Sequence, residues 1–245
     1  MNRGTDDGKS LTAALPPAIF FRMDTCQIKQ MPFRPQPRDM RGCRTPRCGR
    51  CWMEEELCIC ALLRPIPNTT RIAIVMPWSE CCRPSNTGRL AYLLLARCGV
   101  HVRGSPLTRF ALDDIVKPGC RPLVLFPDPD GEELTREHGA LQGQPPTLIV
   151  PDGTWSQARK ILAHEPGLAG VPRVKLPAGA ASGYRLRKAK APGQLCTFEA
   201  VARALAILED PSIHDAMMTS FNAMVERSIK TRGGPTAPDG ARHGR

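Results

Sequence analysis

The chain has 245 residues, a formal net charge of +11 and eleven cysteines. This length suits one sizeable domain with a small appendage, and no apolar run approaches the roughly 18 residues that a membrane span needs. The N-terminus lacks the charged, apolar and small-residue order of a secretory signal. We therefore expect a soluble cytoplasmic protein whose thiols are reduced or hold a metal.

The positive charge is concentrated at the two ends of the chain. Residues 1–50 carry a net charge of +6 and residues 227–245 carry +4. The exception is a basic run with no acidic residue between Glu165 and Glu199. It consists of Arg173, Lys175, Arg185, Arg187, Lys188 and Lys190. Such a run is either a solvent-exposed surface of the protein or a binding site for the phosphate backbone of a nucleic acid.

The N-terminal quarter contains a cysteine cluster. Residues 1–40 are rich in proline, glycine and polar residues without periodicity, which predicts a disordered segment. The following residues, 41–64, contain four closely spaced cysteines, namely Cys48, Cys51, Cys58 and Cys60. Four thiolates at this spacing match the tetrahedral preference of structural zinc and predict a small four-cysteine zinc knuckle. Cys43 is a spare or substitute ligand, and the alternative is a cluster of free thiols.

Three unbroken apolar runs predict buried β-strands at residues 71–76, 123–126 and 147–150. The first leads through Glu80 and Asn86 into a helix that Ser85 or Thr87 would cap and Gly99 would end. The second leads into the acidic turn at Asp128 and a short helix. These connections favour a parallel α/β sheet.

The third strand leads through a glycine-containing turn into a helix, and the turn carries Asp152, Thr154 and Trp155. An acid, a hydroxyl and a large aromatic follow the carboxyl end of this strand, where parallel sheets bind ligands. Three strand ends therefore predict one composite site along that edge. The alternative is a capped helix with a tryptophan that only fills the core.

Two amphipathic helices follow the basic run. The first has Thr197 as its cap and Glu199 in its first turn, and Pro211 would stop it. The second runs from Ile213 to about Ile229, with an apolar stripe of Met217, Phe221, Met224 and Val225. Residues 231–245 are rich in glycine and arginine and predict a disordered basic tail.

In this order the motifs resemble those of the DTW-domain family, the tRNA-uridine aminocarboxypropyltransferases. The similarity rests on the four cysteines, Glu80 with SNTGRL, LVLFPD, DGTW, and YRLRK with CTFEAVA. It covers roughly residues 43–210. The aspartate, threonine and tryptophan that give the family its name are Asp152, Thr154 and Trp155.

The resemblance implies a SPOUT-like parallel sheet with a knotted C-terminal half, over residues 65–230. It also implies transfer of the 3-amino-3-carboxypropyl group of S-adenosylmethionine to N3 of a uridine in tRNA. The implied partner is tRNA, with no stable protein partner and a possible homodimer.

Candidate site residues follow from the same resemblance. Asp152 and Glu80 are the catalytic candidates, and Asp152 would act either as the base for the N3 proton or as a ligand for the amino group of the cofactor. Arg187 would bind the carboxylate of the cofactor or an RNA phosphate. The cofactor contacts are expected among Asn86, Thr87, Phe126, Pro127, Asp128, Thr154, Trp155 and Arg187.

Two other functions fit the same sequence. One is a SPOUT-type RNA methyltransferase, which would present a different carbon of the same cofactor. The other is a non-catalytic, zinc-containing tRNA-binding module in which the knuckle and the basic run bind RNA. A test of S-adenosylmethionine binding distinguishes these functions, because the binding module has no need of the cofactor and both enzymes require it.

Overall fold

The computed structural model describes residues 46–81, 83–105, 110–116, 119, 121–140, 145–187 and 193–231. Some of the sequence predictions concern residues outside these ranges. They are the disordered segment of residues 1–40, Cys43, the end of the basic run at Lys188 and Lys190, and the tail beyond residue 231.

In the described part of the chain, six strands form one sheet in which every neighbouring pair is parallel. The strands are β1 (Arg71–Pro77), β2 (Cys98–Arg103), β3 (Arg121–Leu125), β4 (Glu132–Glu133), β5 (Pro146–Pro151) and β6 (Arg173–Lys175). Their order is β2-β1-β5-β3-β6-β4. The three strands predicted from apolar runs, β1, β3 and β5, lie side by side in the centre. The parallel α/β prediction is confirmed, and all carboxyl ends share one edge.

The other three strands were not predicted, and each has a weak local pattern. Strand β2 is an edge strand with mixed burial, and it contains Gly99, which was wrongly predicted to end the preceding helix. Strand β6 has one buried residue, Val174, between two cations, so it was interpreted only as part of the basic run. Strand β4 has two exposed glutamates and lies within the predicted acidic turn, ahead of the short helix at Glu137–Ala140. Such strands bury too little to show a hydrophobic signature.

Helices cover both faces of the sheet. They are α1 (Trp78–Cys81), α2 (Gly88–Leu94), α3 (Glu137–Ala140), α4 (Trp155–His164), α5 (Thr197–Leu208) and α6 (Pro211–Thr231). The side chains of β1 alternate between the faces, with Ile72 and Ile74 in the core under α2, α5 and α6. Val75 belongs to the opposite core under α4, together with Ile161. None of the described helices has both the length and the apolar content needed to cross a membrane.

Two helix ends differ from the sequence prediction. At α2 it is the side chain of Asn86 that accepts a hydrogen bond from the backbone N–H of Arg89 (2.9 Å), and Thr87 makes no side-chain capping bond. At α5 the N-cap is Cys196, which leaves the Thr197 hydroxyl available for another contact. Pro211 occupies the first position of α6, where its missing N–H costs nothing.

The cysteine-rich segment packs directly on the main core. Met53, Ile59 and Leu63 belong to the same apolar cluster as α2 and α5. The backbone of Ile66 also bridges to Leu95 at the end of α2. The boundary at residues 64 and 65 and the knotted C-terminal half stay predictions.

Candidate active site and metal centre

A cavity of about 730 Å³ opens at the carboxyl edge of the sheet, between the ends of β1, β3, β5 and β6 and the start of α5. Its volume lies in the range of small-molecule sites. The predicted site residues in its lining are Glu80, Thr87, Phe126, Pro127, Asp152, Thr154, Trp155 and Arg187. Asn86 and Asp128 are not in the lining, and both make ion-pair or hydrogen-bond contacts described below.

Asp152 lines this cavity and is buried, one residue beyond β5. Its backbone N–H donates to the carbonyl of Val75 (2.8 Å), which continues the pairing of β5 with β1. Its carboxylate accepts one hydrogen bond on each oxygen, from Asn86 Nδ2 on Oδ2 (2.5 Å) and from Thr197 Oγ1 on Oδ1. A carboxylate has about four acceptor positions, so this one is oriented and can still accept from a ligand.

Gly88 brings α2 close to the Asp152 carboxylate. A Cβ at this position would lie 3.0 Å from Asp152 Oδ2 and 3.2 Å from Cγ2 of Ile74. Both neighbours are held in the core, so any side chain at residue 88 would push α2 away. The glycine is therefore needed for Asn86, two residues earlier, to reach Asp152.

The Thr154 side chain caps α4, as one of the two sequence interpretations expected. Gln157 N donates to Thr154 Oγ1 (3.3 Å) and Gln157 Oε1 accepts from Thr154 N (2.7 Å), which makes a capping box. Gly153 precedes it at φ 134°, a conformation open to glycine. Trp155 is half-buried against Phe126, with ring centroids 5.9 Å apart and a 60° interplanar angle. It therefore forms a wall of the cavity.

Glu80 and Arg187 both line the cavity and form an ion pair, with Nη2 and Oε1 2.5 Å apart; Glu80 is buried and Arg187 is half-buried. Glu80 is 1% exposed, and its other oxygen lies 3.3 Å from Nε of Arg83. Burial raises the pKa of the Glu80 carboxyl above its usual value, although Arg187 opposes this effect. Arg187 also donates to Ser85 Oγ (3.0 Å), which ties the basic run to the segment after β1.

Glu199 has a larger role than the first-turn position expected from the sequence. It is buried and accepts hydrogen bonds from Ser182 Oγ (2.6 Å), Gly183 N (2.7 Å) and Cys196 N (3.0 Å). These bonds hold the cavity wall before Arg187 against α5. Only the bond to Cys196 is local, and it is the one that a capping-box pattern could have indicated.

We expect Glu199→Gln to lower the free energy of unfolding by about 1–3 kcal/mol, because an amide nitrogen cannot accept the bonds that one carboxylate oxygen now accepts. Denaturant unfolding measures the change. Glu226→Gln, at an exposed position on α6, is the matched control and should leave the midpoint unchanged. Equal midpoints for the two variants would contradict the role of Glu199.

The four predicted cysteines form a cluster that could hold a metal ion. Their sulfur atoms all lie within 4.8 Å of one another. The separations are 3.6 Å from Cys48 to Cys60 and 3.8 Å from Cys51 to Cys58. A tetrahedral zinc with bonds of about 2.3 Å needs sulfur separations of about 3.8 Å. Burial raises the pKa of the Cys51 thiol to about 11, so a thiolate at this position requires a cation beside it.

The cluster is attached to the helices around it. Arg227 of α6 donates to the carbonyl of Cys58. The guanidinium of Arg89 in α2 lies over the ring of Trp52, 4.3 Å from its centroid. The position of this centre is therefore coupled to α2, the helix that also positions Asn86.

Comparison with protein-family profiles gives a match to the DTW domain over residues 45–229. The chain belongs to the DTW-domain family. The matched range contains the four cysteines and every candidate residue of the cavity, so the resemblance drawn from the sequence is confirmed. No solved structure matches this DTW domain.

Curated relatives of this DTW domain carry the name tRNA-uridine aminocarboxypropyltransferase 2. The mouse protein is 32% identical over 192 residues, which are 74% of this chain and 63% of the mouse protein. The Drosophila melanogaster protein is 30% identical over 194 residues, 76% of each chain. The Macaca fascicularis protein is 28% identical over 187 residues, 74% of this chain and 63% of that protein. The chain thus spans less than two thirds of the mouse and macaque relatives.

Proposed function

We propose that this protein transfers the 3-amino-3-carboxypropyl group of S-adenosylmethionine to N3 of a uridine in tRNA. The main structural support for this proposal is the buried Asp152 carboxylate, which Asn86 and Thr197 orient in a cavity at the carboxyl edge of the sheet. A binding module would not need a buried and oriented carboxylate in such a cavity. The names of the mouse and fly relatives support the same reaction.

The residues that line the cavity fit S-adenosylmethionine. When bound, this cofactor supplies the transferred group on a carbon next to a positively charged sulfur, which leaves as a neutral thioether. The cavity offers the Asp152 carboxylate for positive charge, Arg187 for a carboxylate, and Trp155 and Phe126 as apolar walls. The predicted contact Thr87 also lines it, whereas Asn86 acts through Asp152.

The protein must also remove the N3 proton of the uracil, because the neutral imide is a weak nucleophile. We assign this proton to the carboxylate of Asp152, which keeps acceptor positions besides those used by Asn86 and Thr197. The ion pair of Glu80 and Arg187 and the aromatic pair of Phe126 and Trp155 form other parts of the cavity lining. Orientation in this cavity selects which carbon meets N3.

The four-cysteine centre is proposed to hold a structural zinc. Four thiolates complete a tetrahedron and leave no open position for substrate or water. Its packing on the main core fits a stabilising role. The cytoplasmic location and a possible homodimer stay predictions.

The second candidate is a SPOUT-type RNA methyltransferase, because the same cavity could present the methyl group instead. Two labelled forms of S-adenosylmethionine decide between the reactions when each is incubated with the protein and an unmodified tRNA transcript. We expect label in the RNA from the amino acid arm and none from the methyl group. Label from the methyl group alone would reject the aminocarboxypropyl transfer, and no cofactor binding at all would favour the non-catalytic module.

A further inference from the structure

A second cavity lies beside the first, between the start of α4 and the segment after β3. The two cavities have four lining residues in common, which are Phe126, Pro127, Trp155 and Gln194. The aromatic pair therefore forms a partition with one cavity on each side. A ligand that extends out of the first cavity past this partition would enter the second.

The second cavity has an uncompensated positive charge. Arg159 lines it one helical turn after Trp155, so the guanidinium and the indole lie on the same side of α4. Within the described residues, Arg159 is exposed and makes no ion pair or side-chain hydrogen bond. The other charged lining residues, Asp128 and Arg173, pair with each other. The net charge of the lining is thus +1, carried by Arg159.

We propose that this second cavity binds the nucleotide next to the uridine that is modified. Its base packs against the partition of Trp155 and Phe126, and its phosphate pairs with Arg159. The inference rests on the proposed function, since it places the target uridine in the first cavity.

The chemistry of the cavity favours single-stranded RNA over a small anion. Half-buried aromatic rings beside a cation are the usual platform for an unpaired base and its phosphate. A small anion would use Arg159 alone and would leave the ring faces unused.

Three variants of the full chain test the proposal: Arg159→Ala, Arg159→Lys and Lys160→Ala. Lys160 is the neighbouring exposed cation on α4 and is not part of the lining, so it is a control for the same change of charge. The measurements are the KM for an unmodified tRNA transcript, kcat at saturating tRNA, and the salt dependence of tRNA affinity.

We expect Arg159→Ala to raise the KM for tRNA about tenfold with little change in kcat. The slope of log affinity against log salt should fall in magnitude by about 0.7, the value for one phosphate contact on a single strand. Arg159→Lys should retain most of the slope. Lys160→Ala should have the same KM, kcat and slope as the protein without substitutions.

Equal effects of Arg159→Ala and Lys160→Ala on KM and slope would overturn the proposal, because general surface charge would then explain both. A fall in kcat with an unchanged KM would overturn it as well. If the protein without substitutions transfers no aminocarboxypropyl group to tRNA, the proposed function is rejected. In that case, the affinities of the three variants for the same transcript are measured at equilibrium. A weaker affinity of Arg159→Ala than of Lys160→Ala supports the nucleotide site, and equal affinities overturn it.

Discussion

Replacing Asp152 with asparagine is expected to lower the rate of aminocarboxypropyl transfer at least about 100-fold, the usual scale for losing a proton-transfer group. The amide has a similar size but cannot receive the N3 proton or balance a positive charge. One of its two donors, Asn86 or Thr197, would also face an NH2 group instead of an oxygen. Transfer of the labelled amino acid arm to tRNA under single-turnover conditions measures the loss.

The matched control is Asp215→Asn, which removes an exposed carboxylate from α6 and should leave transfer unchanged. Circular dichroism and thermal unfolding show whether Asp152→Asn keeps its fold. Calorimetric binding of S-adenosylmethionine then separates the two roles of Asp152. Retained binding with lost transfer assigns the base, and loss of both assigns a ligand of the cofactor. Full activity of Asp152→Asn would remove this residue from the mechanism.

Replacing Cys51 with serine is expected to reduce bound metal from one ion per chain to near zero and to destabilise the whole domain. Structural zinc sites contribute ~10 kcal/mol or more of folding free energy, so we expect a loss of at least about 3 kcal/mol. The loss should reach the main core, because Met53, Ile59 and Leu63 pack there. Elemental analysis and denaturant unfolding measure the two effects.

Cys98→Ser is the control for this variant, since Cys98 is a buried cysteine of β2 outside the cluster. It should keep the metal while losing some stability. A metal content near zero in the unmodified protein, purified without chelator, would reject the zinc proposal. An unchanged metal content in Cys51→Ser would show that this cysteine is not a ligand.

The sequence alone determined the features whose evidence is local. The central strands β1, β3 and β5 are buried on both faces, so each shows an unbroken apolar run. The four cysteines lie close together along the chain, so their spacing alone predicted a metal cluster. The cap at Thr154 depends on a residue only three positions away. A composite site at the sheet edge followed because parallel strands have their carboxyl ends on the same side.

The tertiary structure decided which residues act together. Asn86 was expected to contact the cofactor and Thr197 to cap a helix, yet both hold Asp152, from 66 and 45 residues away. The pair of Glu80 and Arg187 joins residues 107 positions apart. Contacts between distant segments leave no periodic pattern in the sequence, because they depend on how the helices pack on the sheet. The strands β2, β4 and β6 were missed for a related reason, since their burial depends on neighbours that only the fold supplies.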